Sequence, residues 1–194
     1  PFFQGELKEF LAFTREQKLA PTSVQGSFAG AMGLPQFMPR SYRSFAVDFD
    51  GDGRIDLWQG AADTIGSVGN FLARHDWARG QPVLLPAAVD AAARAQLMQR
   101  LDGGISERRA LDAWQREGVS IAAPPAGLAA DPVGVLLLED SADASSLWLT
   151  FKNFYVITRY NKSPLYSMAV WQLSQQIAGG VVEPPQAAAV EPAP

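Results

Sequence analysis

Gly26-Ser-Phe-Ala-Gly-Ala-Met-Gly-Leu-Pro-Gln-Phe-Met-Pro39, followed by Asp48-Phe-Asp-Gly-Asp-Gly-Arg-Ile-Asp56, is the part of the chain that decides its reading. In the first stretch, small residues let another group approach the backbone closely. A tight helix–helix crossing would use the same composition. The second stretch has carboxylates at positions 1, 3 and 5, Gly at 6, a backbone carbonyl at 7 and an aliphatic residue at 8, which is how a calcium loop opens. In a tight turn, Asp48, Asp50, Asp52 and the Arg54 carbonyl converge on one point, and Gly53 permits the reversal. Without a cation the clustered carboxylates would repel one another. Position 12 is Gln59, where a bidentate Glu usually stands. The nearest later carboxylate is Asp63, at the head of the next helix. The expectation is a lengthened loop closed by Asp63, with Asp56 as a water-mediated ligand. The alternative is an Asp/Gly-rich turn that holds no metal.

Helical patterns flank these stretches. Upstream, Phe3, Leu7, Phe10, Leu11 and Phe13 fall mostly on one face of an amphipathic helix that ends near Lys18 and Pro21. Downstream, Asp63 to Trp77 reads as a second helix with Ile65, Val68, Phe71 and Leu72 on one face. His75, near its end, reads as a partly buried or dipole-facing histidine. From Arg79 to Ser146 prolines break the pattern, and Val83–Leu85 and Val133–Leu138 read as strands. One short helix is expected there, capped by Ser106, with Leu111 and Trp114 inward and Gly118 at its end. Ser163-Pro164 opens a last helix, and Leu165, Met168, Val170, Trp171, Leu173 and Ile177 predict that it is well buried.

The expected organisation is a core over 1–78 containing the loop 48–63, a small β-rich insertion over 79–146, and a return to the core with the closing helix over 147–179. A disordered Pro/Ala-rich tail is expected over 180–194. The fold class is α+β, mainly α.

The 194 residues amount to one domain, or one domain with a small insertion. The net charge of −4 and pI near 5.0 argue against a nucleic-acid binder held by phosphate contacts. The chain has no cysteine and one histidine, which excludes disulfides, thiol nucleophiles and cysteine zinc sites and points any metal toward a hard cation held by oxygen. No apolar run approaches the roughly 18–20 residues of a membrane span. The chain starts at Pro1, shows no signal peptide and enters a helical pattern almost at once, and so reads as a piece of a longer protein. One calcium loop and four methionines favour a structural staple over a calcium sensor.

Ser27, Gln36, Phe37, Tyr42, Tyr155, Tyr160, Asn161 and Tyr166 bring aromatic faces together with amides and hydroxyls, a composition that suits sugars; ordinary buried aromatics would read the same way. The 26–39 stretch, then Ser41-Tyr42, Ala46–Gly53, Leu57-Trp58, Asp63–Val68, Asn153–Asn161 and Tyr166–Leu173, taken in this order, resemble the lytic murein transglycosylase B family (glycoside hydrolase family 103). The resemblance covers most of residues 2–178 and is weak in 79–146.

The resemblance implies a lysozyme-like helical core with an EF-hand-like calcium loop inside it and a small β-rich insertion. It implies cleavage of the β-1,4 bond between N-acetylmuramic acid and N-acetylglucosamine without water, leaving a 1,6-anhydro end. One Glu serves as acid and then as base. By position, Ser27, Gln36, Tyr160 and Asn161 correspond to cleft residues, Phe37 and Tyr166 to cleft wall, and Asp48, Asp50, Asp52, the Arg54 carbonyl and Asp63 to calcium ligands. The family's catalytic Glu lies upstream of the helix that begins here near Gly5, and no glutamate of this chain has its context. The resemblance further implies peptidoglycan glycan strands as substrate, other cell-wall enzymes as partners, a monomer, and the periplasm or envelope of a Gram-negative bacterium. A non-catalytic, calcium-stabilised glycan-binding module is the competing expectation.

Overall fold

The computed structural model describes residues 1–101, 104–122, 126–128, 130–141 and 144–179. The expected disordered tail, 180–194, lies outside the described residues. The chain divides into two compact units, one ending at Asp76 and one beginning at Trp77.

In the first unit, helix α1 (Phe2–Glu16) packs on helix α2 (Pro39–Phe45). Pro39 suits the first turn of α2 because it has no N–H to leave unpaired. The next amide, that of Arg40, donates to Glu6 Oε2 at 3.0 Å. One turn on, Arg43 pairs with Glu9 and with Glu16, the latter through Nη2 at 2.7 Å. Between the helices the Phe13 ring is fully buried, 4.4 Å from Tyr42 and stacked at 6.1 Å on Trp58. The expected apolar face of α1 is therefore buried only toward its C-terminal end. Phe3, Leu7 and Leu11 are 64%, 57% and 47% exposed, while Glu6 between them is buried against Arg40 of α2.

Residues 26–37 form an irregular loop rather than a helix crossing, with bridges from Gly26 to Met32 and from Met32 to Phe37. The group that approaches closely is the Leu57 carbonyl, which accepts from the Leu34 amide at 2.7 Å. Gly33 has φ +67, and a Cβ there would lie 2.6 Å from that oxygen. Helix α3 spans Ala61–Arg74 where 63–77 was expected, and His75 caps it, half-buried, with Nδ1 2.7 Å from the Phe71 carbonyl.

The second unit is built on a five-stranded antiparallel sheet. In chain order its elements are β1 (Leu84–Val89), helix α4 (Ala91–Met98), β2 (Arg109–Ala110), helix α5 (Leu111–Arg116), β3 (Val119–Ser120), β4 (Pro132–Ser141), β5 (Ala144–Thr150), helix α6 (Lys152–Tyr160) and helix α7 (Pro164–Ile177). The spatial order is β2-β4-β5-β1-β3. On β5, Leu149 stands opposite Val135 and Leu85, and Trp148 opposite Leu136 and Pro86. The two-residue period separates two cores. Leu147, Leu149, Val133 and Val135 pack with Leu97 of α4 and Trp114 of α5. Trp148, Leu136 and Leu84 pack with Phe154 of α6 and Met168 of α7. Both faces are thus covered, which is why these strands read as continuous apolar runs rather than alternating ones. Pro86 is tolerated because β3 reaches only Ala88 and Val89, leaving the β1 edge open beside it. Buried Asn153 ties down the entry to the sheet, donating to the Ala78 and Gln81 carbonyls at 2.9 Å and accepting from the Ala78 amide at 2.8 Å.

Several expectations change here. Among the described residues, the region 79–146 holds two helices, α4 and α5, where one was expected. Ser106 does not cap α5: its Oγ accepts from the Val135 amide and its own amide donates to the Val135 carbonyl, both at 2.8 Å, so it extends the pairing at β4. The expected boundary at 146/147 falls inside β5. Helix α7 does start at Ser163-Pro164, where Ser163 Oγ accepts from the Tyr166 amide, but it is not well buried. Only Ser167 and Met168 are buried, and Leu173 and Ile177 are 56% and 79% exposed, because the sheet meets one side of this helix only.

Gly33→Ala forces a left-handed φ on a residue with a side chain and presses its Cβ into backbone, and is expected to cost more than about 1 kcal/mol. Gly69→Ala, in α3 with nothing within 4 Å of its added Cβ, is expected to stabilise by about 0.5–1 kcal/mol. Urea denaturation of the two variants checks the opposite signs.

Candidate functional site

The acidic loop is organised by its own amides. Asp48 accepts from the Gly51 amide through Oδ1 at 2.7 Å and from the Gly53 amide through Oδ2 at 2.8 Å. Gly51 and Gly53 have φ +77 and +88, the left-handed region that favours glycine at both turns. Asp52 Oδ1 accepts from the Arg54 amide at 2.8 Å. Asp63, buried in the first turn of α3, closes the loop: Oδ1 accepts from the Phe49 amide and Oδ2 from the Asp56 amide, each at 2.8 Å. Asp56 Oδ1 in turn accepts from the Trp58 and Gln59 amides at 2.9 Å and holds the segment between loop and helix. Gln59 is exposed. The Val47 amide donates to Ser67 Oγ, and Asn70 Nδ2 donates to the Phe45 carbonyl, so α3 is tied to the start of the loop as well as to its middle.

One oxygen each from Asp48, Asp50 and Asp63 lie within 4.8 Å of one another. Asp52, expected as a ligand, is outside this group. The converging donors are all carboxylate oxygens, the set that a hard divalent cation takes. The residues present therefore fit the expected ion. The amides of Asp56 and then Phe49 hold the Asp63 carboxyl below the usual carboxylate range. Those of Gln59 and Trp58 do the same for Asp56. Burial, followed by the charges of Asp56 and Asp63, pushes the Tyr42 hydroxyl up to about 12. This hydroxyl donates to the Ile55 carbonyl at 3.1 Å.

The expected cleft residues divide between the two units. In the first, Ser27 is exposed and its Oγ accepts from the Ala31 amide at 3.1 Å. Gln36 has φ +51, a conformation uncommon outside glycine, and its Nε2 donates to the Gly33 carbonyl at 2.8 Å. Phe37, expected in the cleft wall, is 2% exposed and packs 6.0 Å from Phe71. In the second unit, Tyr160, Asn161 and Tyr166 gather at the junction of α6 and α7. Asn161 Oδ1 accepts from the Ser163 amide at 3.0 Å, and burial, then Tyr166, raises the Tyr160 hydroxyl.

Ser27 also lines a cavity of about 280 Å³ with Gly26, Phe28, Phe10, Leu7 and Glu6. Glu6 is the one glutamate in that lining. Its two oxygens face Arg40, Oε2 accepting from the amide and Oε1 3.4 Å from Nε, which makes it a structural partner of α2 rather than a free acid. Nothing in the sequence links positions 6 and 40, so this role could be found only in the fold.

The pH dependence of the loop follows from these bonds. Asp63 and Asp56 bind protons less readily folded than unfolded. Their contribution to stability is complete above the ordinary carboxylate value near ~4 and is lost as pH falls through their lower folded values. In calcium-free buffer, Tm should fall on acidification below about pH 4, and Asp63→Asn should lower Tm at pH 7 while flattening that acid limb. Thermal melts across pH read both.

Comparison with known proteins gives the family and the fold. The family model of the transglycosylase SLT domain matches residues 1–175. The membrane-bound lytic murein transglycosylase B of Escherichia coli (strain K12) is 40% identical over 177 residues, which are 91% of this chain and 46% of that protein. Among solved structures, the soluble lytic transglycosylase SltB1 of Pseudomonas aeruginosa superimposes with TM-score 0.81 at 40% identity, over 92% of this chain and 57% of its own. Escherichia coli Slt35 in complex with calcium gives 0.78 at 40% identity, over 91% and 53%. Pseudomonas aeruginosa SltB3 in complex with NAG-anhNAM-pentapeptide gives 0.78 at 31% identity, over 100% and 51%. The chain thus spans about half the length of the relatives it matches. A lysozyme-like fold of mixed helices and antiparallel sheet accompanies a family match over nearly the whole described length, and the chain belongs to the transglycosylase SLT domain family.

Proposed function

We propose that this chain is the calcium-loop and cleft-bearing part of a peptidoglycan lytic transglycosylase. The observation that carries this is the family match over residues 1–175, joined to a relative named as a lytic murein transglycosylase at 40% identity. In the proposed reaction, a carboxylic acid gives its proton to the glycosidic oxygen between N-acetylmuramic acid and N-acetylglucosamine. The resulting carboxylate takes the proton of the muramic C6 hydroxyl as that oxygen bonds to C1. One C–O bond breaks and one forms, no water is consumed, and the acid is regenerated. Ser27 and Gln36 offer a hydroxyl and an amide to the sugars. Tyr160 and Tyr166 offer faces on which their CH groups stack, and Asn161 offers a second amide. The acid is supplied from outside this chain, since Arg40 engages the glutamate that lines the Ser27 cavity.

Asp48, Asp50 and Asp63, with Asp52 and the Arg54 carbonyl, would hold a calcium ion whose role is structural: it offsets the repulsion of the clustered carboxylates and fixes α3 against the loop. Support comes from the oxygen-only donor set and from a relative solved with calcium. The cell envelope of a Gram-negative bacterium is the matching location. Among the described residues no helix is long and apolar enough to cross a membrane.

Two measurements test this reading. Calcium at 100-fold excess over Kd should stabilise the chain by about 2.7 kcal/mol, and a chelator should reverse the gain; a Tm indifferent to both would remove the site. Purified peptidoglycan incubated with this chain should release no 1,6-anhydro-muropeptides, whereas the whole protein releases them. Release by the chain alone would refute the assignment of the acid.

A further inference from the structure

A second concavity, of about 590 Å³, lies wholly within the unit that begins at Trp77 and is lined by Ile105, Tyr155, Thr158, Arg159, Lys162 and Pro164. Tyr155, Thr158 and Arg159 occupy positions i, i+3 and i+4 and so share one face of α6. Lys162 follows in the short connection to α7. Arg108 adds a third cation, its Cζ 4.6 Å from the centroid of the Tyr155 ring. That ring is fixed: its hydroxyl lies 2.8 Å from Thr150 Oγ1, and a Cβ on Gly134 would come within 2.2 Å of it, so glycine makes the room.

The lining contains no carboxylate. Among the described residues no acid stands within ion-pair distance of Arg108, Arg159 or Lys162, although Arg100 and Arg109 of the same unit are paired with Glu107 and Glu117. Two exposed cations and a stacked third around an apolar floor, in a chain of net charge −4, form a local positive patch. The glycan strand itself is neutral once its lactyl group is amide-linked, so these charges find no ion-pair partner on the sugars. The negative charge on peptidoglycan lies on the carboxylates of its peptides, and Ile105, Pro164 and the Tyr155 ring suit the methyl groups of alanine.

We propose that this cavity binds the carboxylates of the peptidoglycan peptide. The proposal rests on the transglycosylase reading above. Arg159 and Lys162 take a carboxylate each or share one, and Tyr155 with Ile105 takes the adjacent side chain.

The test is calorimetric titration of the 194-residue chain with the pentapeptide L-Ala-γ-D-Glu-meso-diaminopimelyl-D-Ala-D-Ala, with its amidated form and with tetra-N-acetylchitotetraose. The acid peptide should bind, more weakly as salt rises, and the amidated peptide at least ~10-fold less tightly. The double variant R159Q/K162Q should lose ~10-fold or more for the peptide and keep its affinity for chitotetraose. The charge-keeping K162R should retain peptide binding, which separates charge from any disturbance of the fold. Equal binding of acid and amidated peptides, or unchanged peptide affinity in R159Q/K162Q, overturns the proposal. Sugar binding without peptide binding overturns it while leaving the transglycosylase reading in place. Failure of both ligands overturns both.

Discussion

The Asp63 carboxylate accepting the amides of Phe49 and Asp56 is the contact on which the first unit depends. It joins the first turn of α3 to the start and middle of the acidic loop, beside the ties that Ser67 and Asn70 make to the segment entering it. The helix N-terminus contributes in the same direction, since its unpaired amides favour a negative group in the first turn. With Asp63 in place, Asp48 and Asp50 are aimed at the same point, and Leu57 behind them is set where its carbonyl can receive Leu34. That last bond positions the 26–37 loop and with it Ser27 and Gln36. The candidate cleft residues of this unit are therefore held, through two backbone contacts, by the same carboxylate that closes the loop.

The second unit depends on a different constraint, the alternation of β5. Trp148 points to one face and Leu147 and Leu149 to the other, and each face recruits its own helices. Helices α6 and α7 lie on the Trp148 face, so the junction that carries Tyr160, Asn161 and Tyr166 is set by sheet packing and not by local propensity. The same packing fixes Tyr155 beneath Arg108 and beside Arg159.

What could be read in the residues was what local chemistry dictates. Alternating Asp with Gly at the turning points specifies a loop whatever surrounds it. Gln59 at the twelfth position turned attention to Asp63 as the closing carboxylate, and the structure shows Asp63 accepting from the Phe49 and Asp56 amides. Ser163-Pro164 marked a helix start because cap and φ are properties of those two residues alone. What could not be read depended on distant partners. Ser106 looked like a cap, and became a strand-like partner of Val135 only when β4 came alongside. Helix α4 carries little amphipathic pattern, since its Ala-rich segment lies among prolines that locally signal breaks. Phe37 carried a family position but no information on its burial against Phe71. The apolar stripes of α1 and α7 were legible, yet stripe alone does not say how much of it a unit covers, and both helices leave leucines exposed.

The account turns on Asp63, sixteenth in the loop, acting where Gln59 stands twelfth. Calcium titration of the wild-type chain, Asp63→Asn and Gln59→Ala by calorimetry tests this most directly. The account predicts one site per wild-type chain, an affinity reduced at least ~10-fold in Asp63→Asn and unchanged in Gln59→Ala. Loss of affinity in Gln59→Ala with Asp63→Asn unaffected would contradict it.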